Sequence, residues 1–429
     1  MALEEFSLRF FSFRLSLEAV EHVSQGEETC SPERQNPQWM RERHLHYQRR
    51  ISMIWRRVTR VIVGQEAAVF RGLVGSLSVF QPNVGGFPAN GHCTFIGLPG
   101  TGKSTMASVL AQAIGGTFSR IQCTADLLPR DFTGSFVEKE GSLVFERGPL
   151  FANVVLCDEY NRAPEKARSG VLQAKIEGFV SVTFGEERCF PLPRPNIIFM
   201  TLNPMEVSGL YQIGDADRDR SLFQIFFVPL QQEERVRLLE RAEGFLDAKI
   251  AEDEAKEPLT PEEFEEIRSF VWAEVKASRL LKEYLVRLTE VEHLEARLAP
   301  VRQDLEALAG VPLSLLFSGY LAERPALGLL GASKVVAFLR GSEVGQSGKI
   351  PRLWVAPSDV REIYADVMNH RIRLSEELEV FCPKLAPHLF GRLSEQDRRG
   401  FSSLTALLPR EIVVRYLLQE IVSRVPDLE

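Results

Sequence analysis

Cysteine is scarce. The six residues in 429 (Cys30, Cys93, Cys123, Cys157, Cys189 and Cys382) are scattered, with no C-x-x-C pair and no Cys/His spacing typical of zinc. A disulfide framework and a zinc module are therefore not expected, and reduced core thiols of a cytoplasmic protein are. The seven histidines form no metal spacing either. Long apolar runs are missing: none approaches the roughly eighteen residues that a membrane span needs. The first seventeen residues carry Glu4 and Glu5 and then Arg9 and Arg14, the wrong order for a signal peptide. An excess of positive charge is also absent. The net charge of -7 argues against nucleic acid as the main partner.

What is present is an ordinary globular composition, 45% hydrophobic and 25% charged, in a chain long enough for two domains and an extra segment. Residues 1–60 read as an N-terminal extension that is partly linker. FSLRFFSFRLSL is a strand or an amphipathic helix, and SQGEETCSPERQNPQ is polar and turn-rich. Between Arg41 and Arg60 seven arginines meet one acidic residue, with Ile51, Ile54, Trp55 and Val58 at helical spacing. That pattern predicts an amphipathic helix packed on a neighbouring subunit or domain, with an acidic-partner contact as the alternative.

Residues 61–232 alternate short apolar strands with helices, the pattern of a parallel sheet covered by helices. HCTFIG, TFSRIQ, FANVVLCD, PNIIFMTLN and FQIFFVPL are the strand candidates, and 103–114 and 164–176 are helical. Hairpin-like segments lie at 128–150 and 179–193. Residues 233–429 carry helical periodicity throughout, so a mainly helical lid region follows the α/β domain. EVGQSGKIPRL (343–353) reads as a loop within it.

Gly97-Leu98-Pro99-Gly100-Thr101-Gly102-Lys103-Ser104 fits G-x-x-x-x-G-K-[ST] between a strand and a helix. Its backbone N–H groups and the following helix start, from Thr105 onward, suit phosphate. Lys103 is placed for the β- and γ-phosphates and Ser104 for Mg2+. VVLCDE ends a strand about fifty residues later. Asp158 there can hold Mg2+, and Glu159 can orient and deprotonate a water for in-line attack. Asn203, in TLNP, ends a third strand where its amide can reach that water, or is a turn former before proline. Together these residues predict an ATPase using ATP and Mg2+.

In this order, GLPGTGKS, LPRDFTGSF, FERGPLFANVVLCDEYNRAP, TLNP with a downstream DR, and WVAPSDV…VMNHRI resemble the MoxR family of AAA+ ATPases, from VIVGQE to the C-terminus. The resemblance implies an AAA+ P-loop core followed by an all-α lid, and a homo-oligomeric ring, commonly a hexamer, with sites between subunits. It makes Asn203 the sensor-1 residue and places the arginine finger at Asp219-Arg220, with Arg218 as a rival in the unusual run Asp217-Arg218-Asp219-Arg220-Ser221. It places the second sensor at Arg324, in Glu323-Arg324-Pro325 rather than the usual SPRA. Gly64-Gln65 corresponds to the adenine-side stretch, or to a plain strand-to-helix turn. The hairpins resemble insertions whose tips can face a ring pore, with Phe132, Phe136 and Phe184 as candidates by aromatic character alone, although such residues are more often packed under their own hairpin. His370, in NHRI, is expected to be a lid contact. The function implied is chaperone-like: remodelling, maturation or activation of a protein client, in some relatives metal-cofactor insertion beside a von Willebrand factor A domain protein. A chelatase-type motor subunit and a nucleic-acid-dependent NTPase or regulator are the rival readings.

Overall fold

The computed structural model describes residues 37–81, 89–182, 188–205, 211, 213–244, 259–318, 323–345, 348–401 and 408–425. The FSLRFFSFRLSL segment, Cys30 and Phe184 lie outside them.

At the centre is a five-stranded, wholly parallel sheet in the order Phe223–Phe227, Cys93–Gly97, Ile197–Leu202, Val154–Asp158, Phe118–Gln122. Two of these five runs, Val154–Asp158 and Ile197–Leu202, alternate their burial between two cores. Val154, Leu156, Ile197 and Phe199 face one apolar cluster, whereas Val155, Cys157, Ile198 and Met200 face another. Parallel strands reached through helical crossovers are covered on both faces, which explains why their sequences read as nearly unbroken apolar runs. The fold is thus a parallel α/β core with a helical C-terminal region, as expected.

The helix Pro37–Val61 carries the arginine run. Tyr47, Ile51, Ile54 and Val58 recur at helical spacing and are buried, so the stripe packs inward on the same chain, against the helix Lys103–Ala113. Two of its arginines pair with the helix Pro261–Glu274. Arg50 meets Glu263 through two contacts of 2.6 Å, and Arg43 lies 3.4 Å from Glu266.

Beyond residue 259 the described chain is helical, with one exception. Residues expected to form a loop make an antiparallel hairpin, Ser342–Gly345 with Gly348–Pro351. Four-residue strands bounded by glycine carry too little alternation to announce themselves. The predicted hairpins at 128–150 and 179–193 are present as Gly134–Lys139 with Ser142–Arg147 and Phe179–Ser181 with Cys189–Pro191. Phe145 and Phe190 stack at 4.2 Å and join the two. Phe132 is fully buried beneath them, so it is not available to touch a substrate, and Phe136 packs on Phe145 at 5.4 Å. The exposed apolar groups of the first hairpin are instead Leu143 and Val144.

Cys93, Cys123, Cys157 and Cys382 are buried and unbridged, and burial pushes the thiols of Cys93, Cys123 and Cys382 up to about 12. Among the described residues no helix is long and apolar enough to cross a membrane.

Two buried histidines make the fold acid-sensitive. Burial lowers His44 to about 4 and His92 to about 3. Ile198 N donates to His92 Nδ1 at 3.0 Å, which leaves Nε2 to donate to Lys175 O. Both nitrogens are committed in the neutral ring. Below about pH 6.5 the unfolded chain takes up protons that the fold refuses, so each histidine withdraws about 1.4 kcal/mol of stability per pH unit. The thermal midpoint is expected to fall between pH 7 and pH 5, and His44→Gln to flatten that fall. An unchanged midpoint across this range would refute the neutral assignment.

Candidate functional site

The phosphate loop begins where the strand Cys93–Gly97 ends. Gly97 runs so close to Phe227 O of the adjoining strand that no Cβ fits. Gly100 and Gly102 hold φ of +79° and +93°, a region glycine enters without strain. An added Cβ at Gly100 meets nothing within 4 Å, so the loop stands open on that side. Gly102 caps the helix Lys103–Ala113 without a side-chain hydrogen bond, and the first turn holds no acidic residue. Its leading N–H groups remain free for an external acceptor. Thr101 Oγ1 donates to Leu98 O at 2.8 Å and braces the turn. Lys103 Nζ is buried and donates to Gly97 O and Leu98 O at 2.6 and 2.7 Å. Burial lowers its pKa, opposed by Asp158 and Glu159. A lysine folded on its own loop carbonyls exchanges them for phosphate oxygens at little rearrangement.

Asp158 and Glu159 stand at the end of the strand Val154–Asp158, two strands from the loop. Ser104 Oγ lies 3.4 Å from Asp158 Oδ2, so hydroxyl and carboxylate converge on one spot. The same carboxylate accepts from Thr201 Oγ1 at 2.5 Å and from Arg120 Nε at 3.0 Å. A guanidinium therefore occupies the cation side of Asp158. That arrangement fits a small hard cation with one hydroxyl, one carboxylate and further oxygens from outside the protein. No cluster of three or more His, Cys, Asp or Glu among the described residues could hold one alone.

Glu159 has φ of +54°, uncommon for a residue with a Cβ and a form of strain often found at functional positions. Its N–H donates to Thr201 Oγ1 at 2.8 Å. Gln122 Nε2 donates to its carboxylate at 2.7 Å, and Arg162 Nε lies 3.2 Å away. Thr201, Gln122, Arg120 and Arg162 were not singled out from the sequence. Arg120 and Gln122 lie two apart, on one face of an edge strand, where sheet register sets Gln122 level with Asp158 and Arg120 level with Leu156; only Gln122 offered a strand-end position as a signal.

Asn203 follows the strand Ile197–Leu202, which lies between the strands of the loop and of Asp158. Its Oδ1 accepts from Met205 N at 3.1 Å, the turn-forming bond expected of Asn before proline. Gln65 pairs its amide with the backbone of Val228, Val228 N lying 3.3 Å from Oε1, and so ties its turn to the exit of the strand Phe223–Phe227. Gly64, at φ +71°, packs where a side chain would strike Leu230 and Glu234. Both line a pocket with Phe226, Val228 and Phe401 that no phosphate-loop residue enters.

Arg220 is elsewhere. Phe223 is level with Cys93, and the phosphate loop leaves the opposite end of that strand at Gly97. Arg220 precedes Phe223 and stands at the far edge of the sheet, about 16 Å of strand from its own loop. Arg324, expected near the nucleotide from the lid, is instead ion-paired to Asp219 beside Arg220. Arg220 itself is half-buried and has no hydrogen-bond or ion-pair partner among the described residues. Burial lowers its pKa, and Arg324 lowers it further. Arg218 is exposed and faces Arg410, Asp215 and Glu411.

The family model for ATPases associated with various cellular activities (AAA) matches residues 92–223. Chaperone MoxR1 of Mycobacterium tuberculosis is 31% identical over 335 residues, 77% of each chain. The chain belongs to the MoxR family of AAA+ ATPases. Protein MoxR of Methylorubrum extorquens is 25% identical over 79% of this chain and 92% of its own. A crystal structure of a Cytophaga hutchinsonii protein assigned as an ATPase superposes with a TM-score of 0.62 at 28% identity, covering 79% of this chain and 92% of that one. As a MoxR-family AAA+ ATPase the protein binds and hydrolyses nucleotide, and the matched span 92–223 contains the phosphate loop, Asp158, Glu159, Asn203 and Arg220.

Proposed function

We propose that the protein is a ring motor, with ATP sites shared between subunits, whose hydrolysis remodels or activates a protein client. The observation that carries this reading is the arginine pair. A half-buried guanidinium with no hydrogen-bond or ion-pair partner among the described residues, held beside a second at the sheet edge opposite its own phosphate loop, calls for an anion from another molecule. The γ-phosphate in a neighbouring subunit's site supplies one.

In this reading the N–H groups from Gly97 to Thr105 bind the phosphates, with Pro99, Gly100, Thr101 and Gly102 shaping the turn, and Lys103 leaves its loop carbonyls for the phosphate oxygens. Ser104 and Asp158 would hold Mg2+, which would supply neutralisation of charge on the phosphates, with Arg120 withdrawn from Asp158. Glu159 orients the attacking water and accepts its proton, Gln122 and Arg162 hold that carboxylate, and Asn203 turns from Met205 to the water. Gly64 and Gln65 supply backbone on the adenine side. Arg220 and Arg324 reach together into the next subunit. Arg324 thus acts across the interface and not on its own chain's nucleotide.

We divide the chain into an extension (1–60), a nucleotide-binding part (61–232) and a lid part (233–429) that moves against it. A hexamer, a cytoplasmic setting and a client of the von Willebrand factor A class follow from the family resemblance. Exposed Leu143 and Val144 suit contact with an unfolded client segment.

Lys103→Ala tests the nucleotide site. Losing one charge-assisted phosphate contact of about 3 kcal/mol is expected to weaken binding of a fluorescent ATP analogue about 100-fold. An affinity equal to wild type would remove Lys103 from the site.

A further inference from the structure

The segment that carries Arg220 is held from outside by one turn. Asn369, His370 and Arg371 close the helix Pro357–Met368, and all three side chains cross to residues 219–224. Asn369 Nδ2 donates to Gln224 Oε1 at 3.0 Å, and His370 Nε2 lies 2.9 Å from Ser221 O. Arg371 does more. Its guanidinium donates to Asp219 O at 3.1 Å, to Leu222 O at 3.2 Å and to Ser221 O. Its Nε lies 3.7 Å from Asp219 Oδ1, while Arg324 takes the other oxygen of the same carboxylate.

Arg371 is 7% exposed, and burial lowers its pKa to about 10, opposed by Asp219. Burying a guanidinium is costly unless its donors are met, and an apolar side chain would hold two helical layers together without that cost. The charged group gives direction: a planar fork with five donors fixes the carbonyls it meets. Only Arg220, Ser221 and Leu222 separate the helix Asp215–Asp219 from the strand Phe223–Phe227. Pinning the carbonyls of residues 219, 221 and 222 therefore fixes the backbone on both sides of Arg220, and with it the line along which that side chain leaves.

We propose that Arg371 is a positioning residue for the arginine pair: clamped on the carbonyls of Asp219, Ser221 and Leu222 and on the Asp219 carboxylate, it aims Arg220 and Arg324 at the neighbouring subunit's γ-phosphate. This rests on Arg220 acting between subunits. Arg371 touches no nucleotide. Its loss leaves the chain's own phosphate loop, Asp158 and Glu159 intact and damages the site next door.

The test uses full-length chains in mixed assemblies. Arg371→Met keeps the volume and removes the fork. Because misplacing a reacting group by about 1 Å costs about 100-fold, kcat is expected to fall by about that factor, with KM within about threefold of wild type. Mixing Arg371→Met with Glu159→Gln, each slowed about 100-fold or more alone, is expected to restore activity. One partner supplies an intact site and the other an intact arginine pair, so roughly a quarter of the interfaces in an equal mixture of a closed ring are complete. A merely structural defect is not rescued in this way. Arg220→Ala mixed with Glu159→Gln is the control. If the control pair stays inactive, the shared site is wrong and the proposal goes with it. If the control recovers and the Arg371 pair does not, Arg371 alone loses its role. Wild-type kcat in Arg371→Met also overturns it. Should that variant lose its thermal transition, Arg371→Lys, which keeps the charge without the fork, runs the same mixture under the same criteria.

Discussion

Arg220→Ala is expected to lower the kcat for ATP hydrolysis about 1,000-fold, the low end of what an arginine supplied to a developing phosphoryl charge contributes, and to leave nucleotide affinity within about threefold. The separation of the two parameters follows from geometry. Arg220 lies across the sheet from the loop of its own chain, whose lysine, serine and N–H groups are untouched by the substitution. Folding is spared as well. Arg220 makes no hydrogen bond or ion pair among the described residues, and its neighbours are of both signs, Arg324 against Asp217 and Asp219, so removing it breaks no directed contact. The thermal midpoint is expected to hold. Arg218→Ala is the internal comparison: its electrostatic neighbours are Arg410, Asp215, Glu411 and Glu379, not Arg324, and it is expected to keep wild-type kcat. If the two variants exchange these results, the finger is Arg218. Steady-state kinetics with a coupled phosphate assay reads the outcome.

What could be read from the sequence follows from how local each signal is. The phosphate loop and all five strands lie where the apolar runs placed them, shortened by a residue to a few at their ends, because glycine spacing and short apolar runs are properties of neighbouring residues. The hairpin Ser342–Gly345 with Gly348–Pro351 was missed because its strands are short and mostly polar. Phe132 takes the packed one of its two readings, and aromatic character alone could not choose, since it does not say which side of a hairpin is buried. The surroundings of the carboxylates were invisible for a different reason. Thr201 reaches Asp158 across 43 residues, and Arg120 does so across 38, through sheet register alone. The pairing of Arg324 with Asp219 spans 105 residues and that of Arg371 with Asp219 spans 152. No period or spacing encodes such contacts. The resemblance that located Arg324 carried no information on its pairing with Asp219.

Glu159→Gln is expected to bind ATP as wild type does and to hydrolyse it about 1,000-fold more slowly, within the range for removing a positioned general base. The two acidic neighbours make the distinction sharp. Asp158 accepts from Thr201 and Arg120 and converges on Ser104, a cation-facing arrangement, whereas the Glu159 carboxylate accepts from Gln122 and meets Arg162 at the strand end. An amide at 159 still accepts from Gln122 through its oxygen, so the local hydrogen bonding and the left-handed backbone persist while the basic site is lost. Asp158→Asn is the contrasting substitution. It removes the charge opposite Arg120 beside Ser104, so it is expected to raise the Mg2+ concentration needed for half-maximal activity, which Glu159→Gln leaves alone. Because Glu159→Gln holds ATP without releasing it through turnover, it is also the form in which a client-bound assembly persists. Turnover at the wild-type rate in Glu159→Gln would remove this residue from the chemistry and return the role of base to another group at the same strand end.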